Sequence, residues 1–167
     1  MILKYYEVNK VNISNFKYFI IYGENEGLKK EVIEKIRNNN EGKNISYEET
    51  QILKDKSNFF SEIKNKSLFD EKRIFLIERC TDKISEIVLE IYEEDSDDIL
   101  IFSCGILEKK SKIRKDLEKS KFVAVIPTYK DNSQSLINIA KNFFTEKKVS
   151  VSYETLNLLV NRCSGDR

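Results

Sequence analysis

Short apolar runs alternate along the chain with amphipathic stretches. Four runs, at 18–22, 74–77, 99–102 and 122–126, are apolar at nearly every position and rich in β-branched and aromatic residues. Such runs are typical of strands buried on both faces, as in a parallel sheet. A weaker candidate for a fifth strand lies at 44–49. Apolar residues recur at helical spacing between the runs, so the pattern predicts an α/β domain with a mainly parallel sheet between helices.

The pattern changes after about residue 147. The apolar run at 149–153 is short, and 154–163 has the spacing of an amphipathic helix that no further strand follows. We therefore predict two units, a base domain over 1–147 and the beginning of a small helical domain over 148–167.

Composition and charge exclude several classes of function. The 167 residues include no His, which excludes Ser-His-Asp and Cys-His catalysis and His-ligated metal sites. No metal is expected, because the cysteines do not form a zinc-type group and the acidic residues do not have the spacing of a calcium loop. The formal net charge of +1 gives no overall field that favours nucleic acid or membrane. The three cysteines, Cys80, Cys104 and Cys163, form no CxxC pair, which predicts reduced thiols. With no stretch apolar enough for a signal peptide or a membrane span, we expect a cytoplasmic protein without a membrane partner.

The segment 23–30 lies where a phosphate-binding loop lies, between a buried strand and a helix. A working loop has the form GxxxxGK followed by Ser or Thr, whose hydroxyl binds magnesium. Counted from Gly23, the second glycine, Gly27, comes one residue early, and Lys30 stands at the hydroxyl position after Lys29. Two glutamates within the loop would repel a triphosphate. The residues favour a loop that binds nothing, and the alternative is a P-loop-like nucleotide-binding enzyme with an unusual loop.

A basic segment at 108–121 carries seven basic and three acidic residues. Its first four cations, Lys109, Lys110, Lys112 and Arg114, are candidates for contacting a DNA backbone. The alternative in a lysine-rich chain is a solvated helix face.

Large apolar residues also lie in a predicted loop, at Ser67-Leu68-Phe69, between a helical stretch ending at Lys66 and the strand that starts near Arg73. Apolar residues in a loop are either buried beneath it or presented to a partner. Composition alone leaves both interpretations open.

Five segments together resemble the delta-subunit family of the bacterial DNA polymerase III clamp loader. Residues 19–28 are similar to the family's first strand and its degenerate phosphate loop. Residues 59–69 and 72–77 resemble its clamp-binding element and the strand that follows. Residues 98–114 resemble its next strand and basic helix, and 149–166 the start of its small helical second domain.

The resemblance implies an AAA+ type domain with a five-stranded parallel sheet. Its degenerate phosphate loop, with Gly23, Gly27 and Lys29, is expected to bind no nucleotide, so no cofactor is implied. The family contributes to a DNA-directed DNA polymerase holoenzyme, and we expect no intrinsic catalysis. A related alternative is another clamp-loader subunit such as delta-prime, but the chain lacks the zinc-type cysteine group and the Ser-Arg-Cys motif of that subunit.

The resemblance also implies partners. Ser67, Leu68 and Phe69 would bind an apolar pocket of the sliding clamp, the beta subunit, and favour the open form of the ring. The gamma or tau subunits and delta-prime would bind through a C-terminal collar domain that this chain does not include. Primed DNA would be met within the assembled complex.

Overall fold

Five parallel strands form the centre of the molecule. The structure, a computed structural model, describes residues 1–3, 15–65, 72–92, 97–118 and 123–163. The strands are β1 (Tyr18–Gly23), β2 (Lys43–Glu48), β3 (Arg73–Cys80), β4 (Ile99–Cys104) and β5 (Val123–Thr128). Their order in the sheet is β2-β3-β4-β1-β5, and every neighbouring pair is parallel. The predicted fold class is confirmed, and β1 lies beside the central strand, β4.

Seven α-helices, and a short 3-10 helix at Asp82–Ile84, connect or follow these strands within the described ranges. The α-helices are α1 (Glu26–Asn38), α2 (Glu49–Lys54), α3 (Lys56–Lys64), α4 (Ser85–Tyr92), α5 (Lys112–Leu117), α6 (Ser133–Glu146) and α7 (Tyr153–Cys163). On one face of the sheet, the buried residues Leu28, Val32 and Ile36 of α1 pack on apolar side chains of the strands. On the other face, α2 to α5 cover the sheet with a larger buried cluster. None of the helices in the part of the chain that the structure describes is long and apolar enough to cross a membrane.

An ion pair at the amino-terminal edge of the sheet joins β3 to β4. The Asp98 side chain is fully buried and accepts hydrogen bonds from Arg73 Nη2 at 2.6 Å and Nε at 3.1 Å. Arg73 Nη1 donates to the carbonyl of Glu62, and Nη2 donates also to the carbonyl of Ile63, both in α3. The end of α3 and the start of β3, which flank residues 66–71, are therefore held together by one side chain.

A bulge interrupts the pairing of β3 with β4. Ile77 is opposite Phe102, but the next partners are Cys80 and Cys104, so β3 has one extra residue in this interval. Arg79 absorbs it with a φ of 57°, a value that non-glycine residues rarely adopt. The extra residue turns Cys80 onto the sheet face that Ile77 and Cys104 share.

A small separate cluster joins the last two helices. Leu136 and Ile137 of α6 pack against Val160 of α7. These residues belong to neither of the two clusters that cover the sheet. We propose that this helix pair marks the transition from a base domain over 1–147 to a helical unit that begins at 148.

Candidate functional site

The loop between β1 and α1 is short and tightly held. Gly23 has a φ of 141°, and a Cβ there would lie 2.1 Å from the carbonyl oxygen of Thr128. Asn25 is the N-cap residue of α1, and its side-chain oxygen accepts the N–H of Leu28 at 3.0 Å. Only Glu24 and Asn25 separate the strand from the helix, so the connection has no room for the extended cradle of a phosphate loop.

The Asn25 side chain is buried and fully engaged. Its amide donates to the carbonyl of Tyr129 at 3.2 Å and to the carboxylate of Asp131 at 2.8 Å. A helix N-terminus attracts anions because its first N–H groups are unpaired. In this chain the side-chain oxygen of Asn25 already accepts a hydrogen bond from one of those N–H groups, that of Leu28. The sequence prediction did not identify Asn25, although asparagine before a helical stretch is a typical N-cap.

Lys29 holds the position of the lysine in GxxxxGK but is already paired. Its side chain is 4% exposed, and Nζ donates to the carbonyl of Cys104 at 3.0 Å and forms an ion pair with Glu26 at 2.5 Å. Gly27 lies in the first turn of α1, within the helix and after the cap. Of the three predicted loop residues, only Gly23 shapes the turn, and Lys29 connects the helix to the end of β4.

The main cleft lies at the carboxyl ends of β3 and β4, beside the start of α1. Its volume is about 670 Å³, and a cleft at this edge of an open parallel sheet is a common ligand position. Four carboxylates and three cations line it: Glu26, Glu78, Asp82, Glu108, Lys29, Arg79 and Lys110. This mixed lining carries no excess of positive charge for a polyphosphate. In the described ranges, no group of three or more His, Cys, Asp or Glu side chains is suited to hold a metal ion.

The candidate DNA-contacting residues divide into two groups. Arg114 lies above the Tyr22 ring at 5.1 Å and pairs with Glu118 at 2.5 Å, with 15% of its side chain exposed. Lys109, Lys110 and Lys112 are exposed at the start of α5. The structure therefore places three of the four cations where a phosphate backbone can approach, and directs Arg114 inward.

Arg114 instead lines a second cavity, on the β5 side of the sheet, with a volume of about 560 Å³. Tyr22, Tyr129 and Pro127 form part of its wall. Burial, followed by interaction with the neighbouring Tyr129, raises the pKa of Tyr22 above its ordinary value, and the phenol is neutral at physiological pH. The guanidinium thus stacks on a neutral ring and serves packing in this region.

The predicted clamp-binding residues Ser67, Leu68 and Phe69 lie outside the described residues. The described positions on either side of them are Asn65, after α3, and Lys72, before β3. The clamp-binding assignment therefore stays a prediction from the sequence.

Comparison with solved structures identifies the fold. The chain is similar to the DNA clamp loader delta protein of Bacillus subtilis, with a TM-score of 0.64 and 13% identity over 93% of this chain and 51% of that one. It is also similar to domain III of the replication initiation protein DnaA of Thermotoga maritima, with a TM-score of 0.58 and 15% identity over 97% of this chain and 76% of that one. A RuvB variant of Thermotoga maritima matches with a TM-score of 0.58 and 9% identity, over 96% of this chain and 54% of that one.

These likenesses establish an AAA+ fold. The resemblance found in the sequence is confirmed at the level of the fold, since a clamp loader delta protein is among the matching structures. The chain spans about half the length of that protein. No protein-family model and no curated protein sequence matches the chain.

Proposed function

We propose that the chain is the amino-terminal part of a clamp-loader delta subunit that binds a sliding clamp and favours its open form during DNA replication. The fold shared with the Bacillus subtilis delta protein over 93% of the chain supports this assignment. On this proposal the protein acts in the cytoplasm and has no catalytic activity of its own.

The observation that carries the proposal is the closed phosphate loop on an AAA+ fold. The cap by Asn25 and the pairing of Lys29 with Glu26 engage the groups that a nucleotide phosphate would need. An AAA+ domain whose loop is closed in this way is suited to bind a partner protein and unsuited to hydrolyse ATP. This favours a delta-type subunit over a nucleotide-binding enzyme.

We expect ATP with magnesium to leave the thermal unfolding midpoint of the chain unchanged. A ligand that binds only the folded state at 100 times its dissociation constant stabilises that state by about 2.7 kcal/mol, which a thermal-shift titration detects. A saturable rise of the midpoint would contradict the closed loop and support the nucleotide-binding enzyme. If the midpoint does rise, the variant Lys29→Met shows whether phosphate binding at this loop is the cause, because a rise of that origin should disappear in the variant.

The clamp-binding step rests on residues 66–71 and on their anchors. Arg73 pairs with Asp98 and bonds two carbonyls of α3, so both described ends of this segment are fixed. Leu68 and Phe69 would insert into an apolar pocket of the clamp, and binding energy gained mainly with the open ring would shift the ring toward that form. Saturable binding of the chain to an immobilised bacterial sliding clamp is the expected result. No binding at micromolar concentrations would contradict the assignment.

We also propose that Lys109, Lys110 and Lys112 contact the backbone of primed DNA. The slope of log K against log salt is negative, and every lysine–phosphate pair that is removed reduces its magnitude by about 0.9 for duplex DNA. Replacing all three lysines with Gln should therefore weaken binding to a primer–template duplex and reduce the magnitude of that slope by roughly 2 to 3. The matched control is Gln at Lys141, Lys147 and Lys148, which are exposed on α6 and just after it. Equal reductions in both variants would show only a nonspecific charge effect.

A further inference from the structure

The floor of the main cleft contains two thiols on neighbouring strands. Cys80 ends β3, Cys104 ends β4, and the two residues are direct partners in the parallel pairing. Both residues line the cleft, and both are free thiols that are almost fully buried. Neighbouring strands lie about 4.7–4.9 Å apart, within the Cα separation of about 4.4–6.8 Å that a disulfide spans.

The bulge in β3 is what brings the thiols together. Ile77 points to the same sheet face as Phe102 and Cys104, and strict alternation would direct the third residue after Ile77 to the opposite face. The extra residue, absorbed by the positive φ of Arg79, reverses this alternation. Cys80 and Cys104 consequently lie on one face, where the Cys80 thiol donates to the carbonyl of Ile77 at 3.2 Å and the Cys104 thiol donates to the carbonyl of Phe102 at 3.8 Å.

We propose that Cys80 and Cys104 form a reversible disulfide in the presence of a peroxide, which makes the cleft floor a redox-modification site. One thiol, as its thiolate, attacks the peroxide, the O–O bond breaks, and a sulfenic acid and one water form. The second thiol then attacks the sulfenic sulfur, its proton leaves with the hydroxyl as a second water, and the S–S bond forms. Two electrons pass from the sulfurs to hydrogen peroxide.

The resting state of this pair is the dithiol. The adjacent Cys104 thiol, followed by burial, raises the pKa of Cys80 well above its ordinary value, and the nearby charge of Glu49 acts in the same direction. Because the thiolate is the reactive form, oxidation needs a sustained oxidant and proceeds slowly. Because both cysteines are almost fully buried, the open cleft beside them is the side from which a molecule as small as hydrogen peroxide would reach them.

The proposal is tested on the whole folded chain with hydrogen peroxide. After oxidation, alkylation of remaining thiols and digestion with trypsin, the three cysteines fall in three separate peptides, 80–83, 84–109 and 163–167. We expect the first two to be linked, with the linkage removed by treatment with dithiothreitol. Cys163, exposed near the end of α7, should remain outside any intramolecular link.

Three variants and an unfolded sample complete the test. Cys163→Ser should still form the link within one chain, whereas Cys80→Ser and Cys104→Ser should abolish it. In urea, where the three thiols lose their fixed positions, links to Cys163 should appear as well. Cys80 and Cys104 both still reduced after prolonged exposure to hydrogen peroxide, or a link formed only between chains, would overturn the proposal. Neither outcome depends on clamp binding, so the two proposals fail separately.

Discussion

The double variant Leu68→Ala/Phe69→Ala is expected to bind the sliding clamp roughly a hundred- to ten-thousand-fold more weakly than the unchanged chain. Burial of a Leu or Phe side chain in a pocket contributes about 1.5–3 kcal/mol, so losing both costs about 3–6 kcal/mol. At about 1.4 kcal/mol for each factor of ten, this loss gives the stated range of affinities. A surface-binding assay with an immobilised clamp measures the change.

The same variant should melt at nearly the same temperature as the unchanged chain. Side chains that are presented to a partner contribute little to folding, whereas two core side chains replaced with Ala would cost several kcal/mol of stability. A melting curve recorded beside the binding assay separates the two interpretations left open by the sequence. Unchanged clamp affinity with a much lower melting temperature would show that the pair belongs to the core.

The chain offers a matched control for this experiment. Phe143 on α6 and Leu158 on α7 are 53% and 54% exposed, and they are the same two residue types at another surface. The variant Phe143→Ala/Leu158→Ala removes the same apolar side chains without touching residues 66–71. We expect it to bind the clamp as the unchanged chain does. An equal loss of affinity in both variants would indicate nonspecific apolar contact with the clamp.

The sequence predicts the four strands that are buried on both faces better than the fifth. Residues of β1, β4 and β5 are apolar at nearly every position because helices cover both faces of the sheet. By contrast, every residue of β2 is exposed or half-buried, so the apolar signal of this strand is weak. The weaker candidate at 44–49 is therefore confirmed as a strand, shifted by one residue.

The site was less predictable because it depends on pairings between distant residues. The sequence shows an acidic stretch before β4. It does not distinguish the buried Asp98 from the exposed Asp97, because the two residues are of the same type and adjacent. In the sequence Arg114 is one cation of a basic segment, and only the tertiary position of Tyr22 directs it inward. Regular alternation along β3 would likewise put Cys80 on the sheet face opposite to the one it occupies. The bulge that reverses its direction gives no clear signal in a single sequence.

Removing the Asp98 carboxylate should lower the stability of the domain more than replacing an exposed carboxylate beside it. Asp98→Ala leaves the guanidinium of Arg73 in a buried position without its charge partner. Breaking a buried pair in this way costs about 3–5 kcal/mol, a large share of the roughly 5–15 kcal/mol that stabilises a domain. Urea unfolding should show a lower midpoint with an unchanged slope.

The adjacent carboxylate gives the control that decides whether burial is the cause. Asp97 is 84% exposed and pairs with Lys17 at 3.3 Å, so Asp97→Ala should cost less than about 1 kcal/mol. The double variant Arg73→Met/Asp98→Leu removes both charges together and should recover much of the stability that Asp98→Ala loses, because no unpaired charge stays buried. Similar urea midpoints for Asp97→Ala and Asp98→Ala would contradict this account, since they would mean that the buried pair adds nothing beyond a surface one. The Arg73–Asp98 pair also joins the end of α3 to the start of β3, on either side of residues 66–71. Asp98→Ala should therefore also weaken clamp binding, measured at temperatures where the chain is still folded.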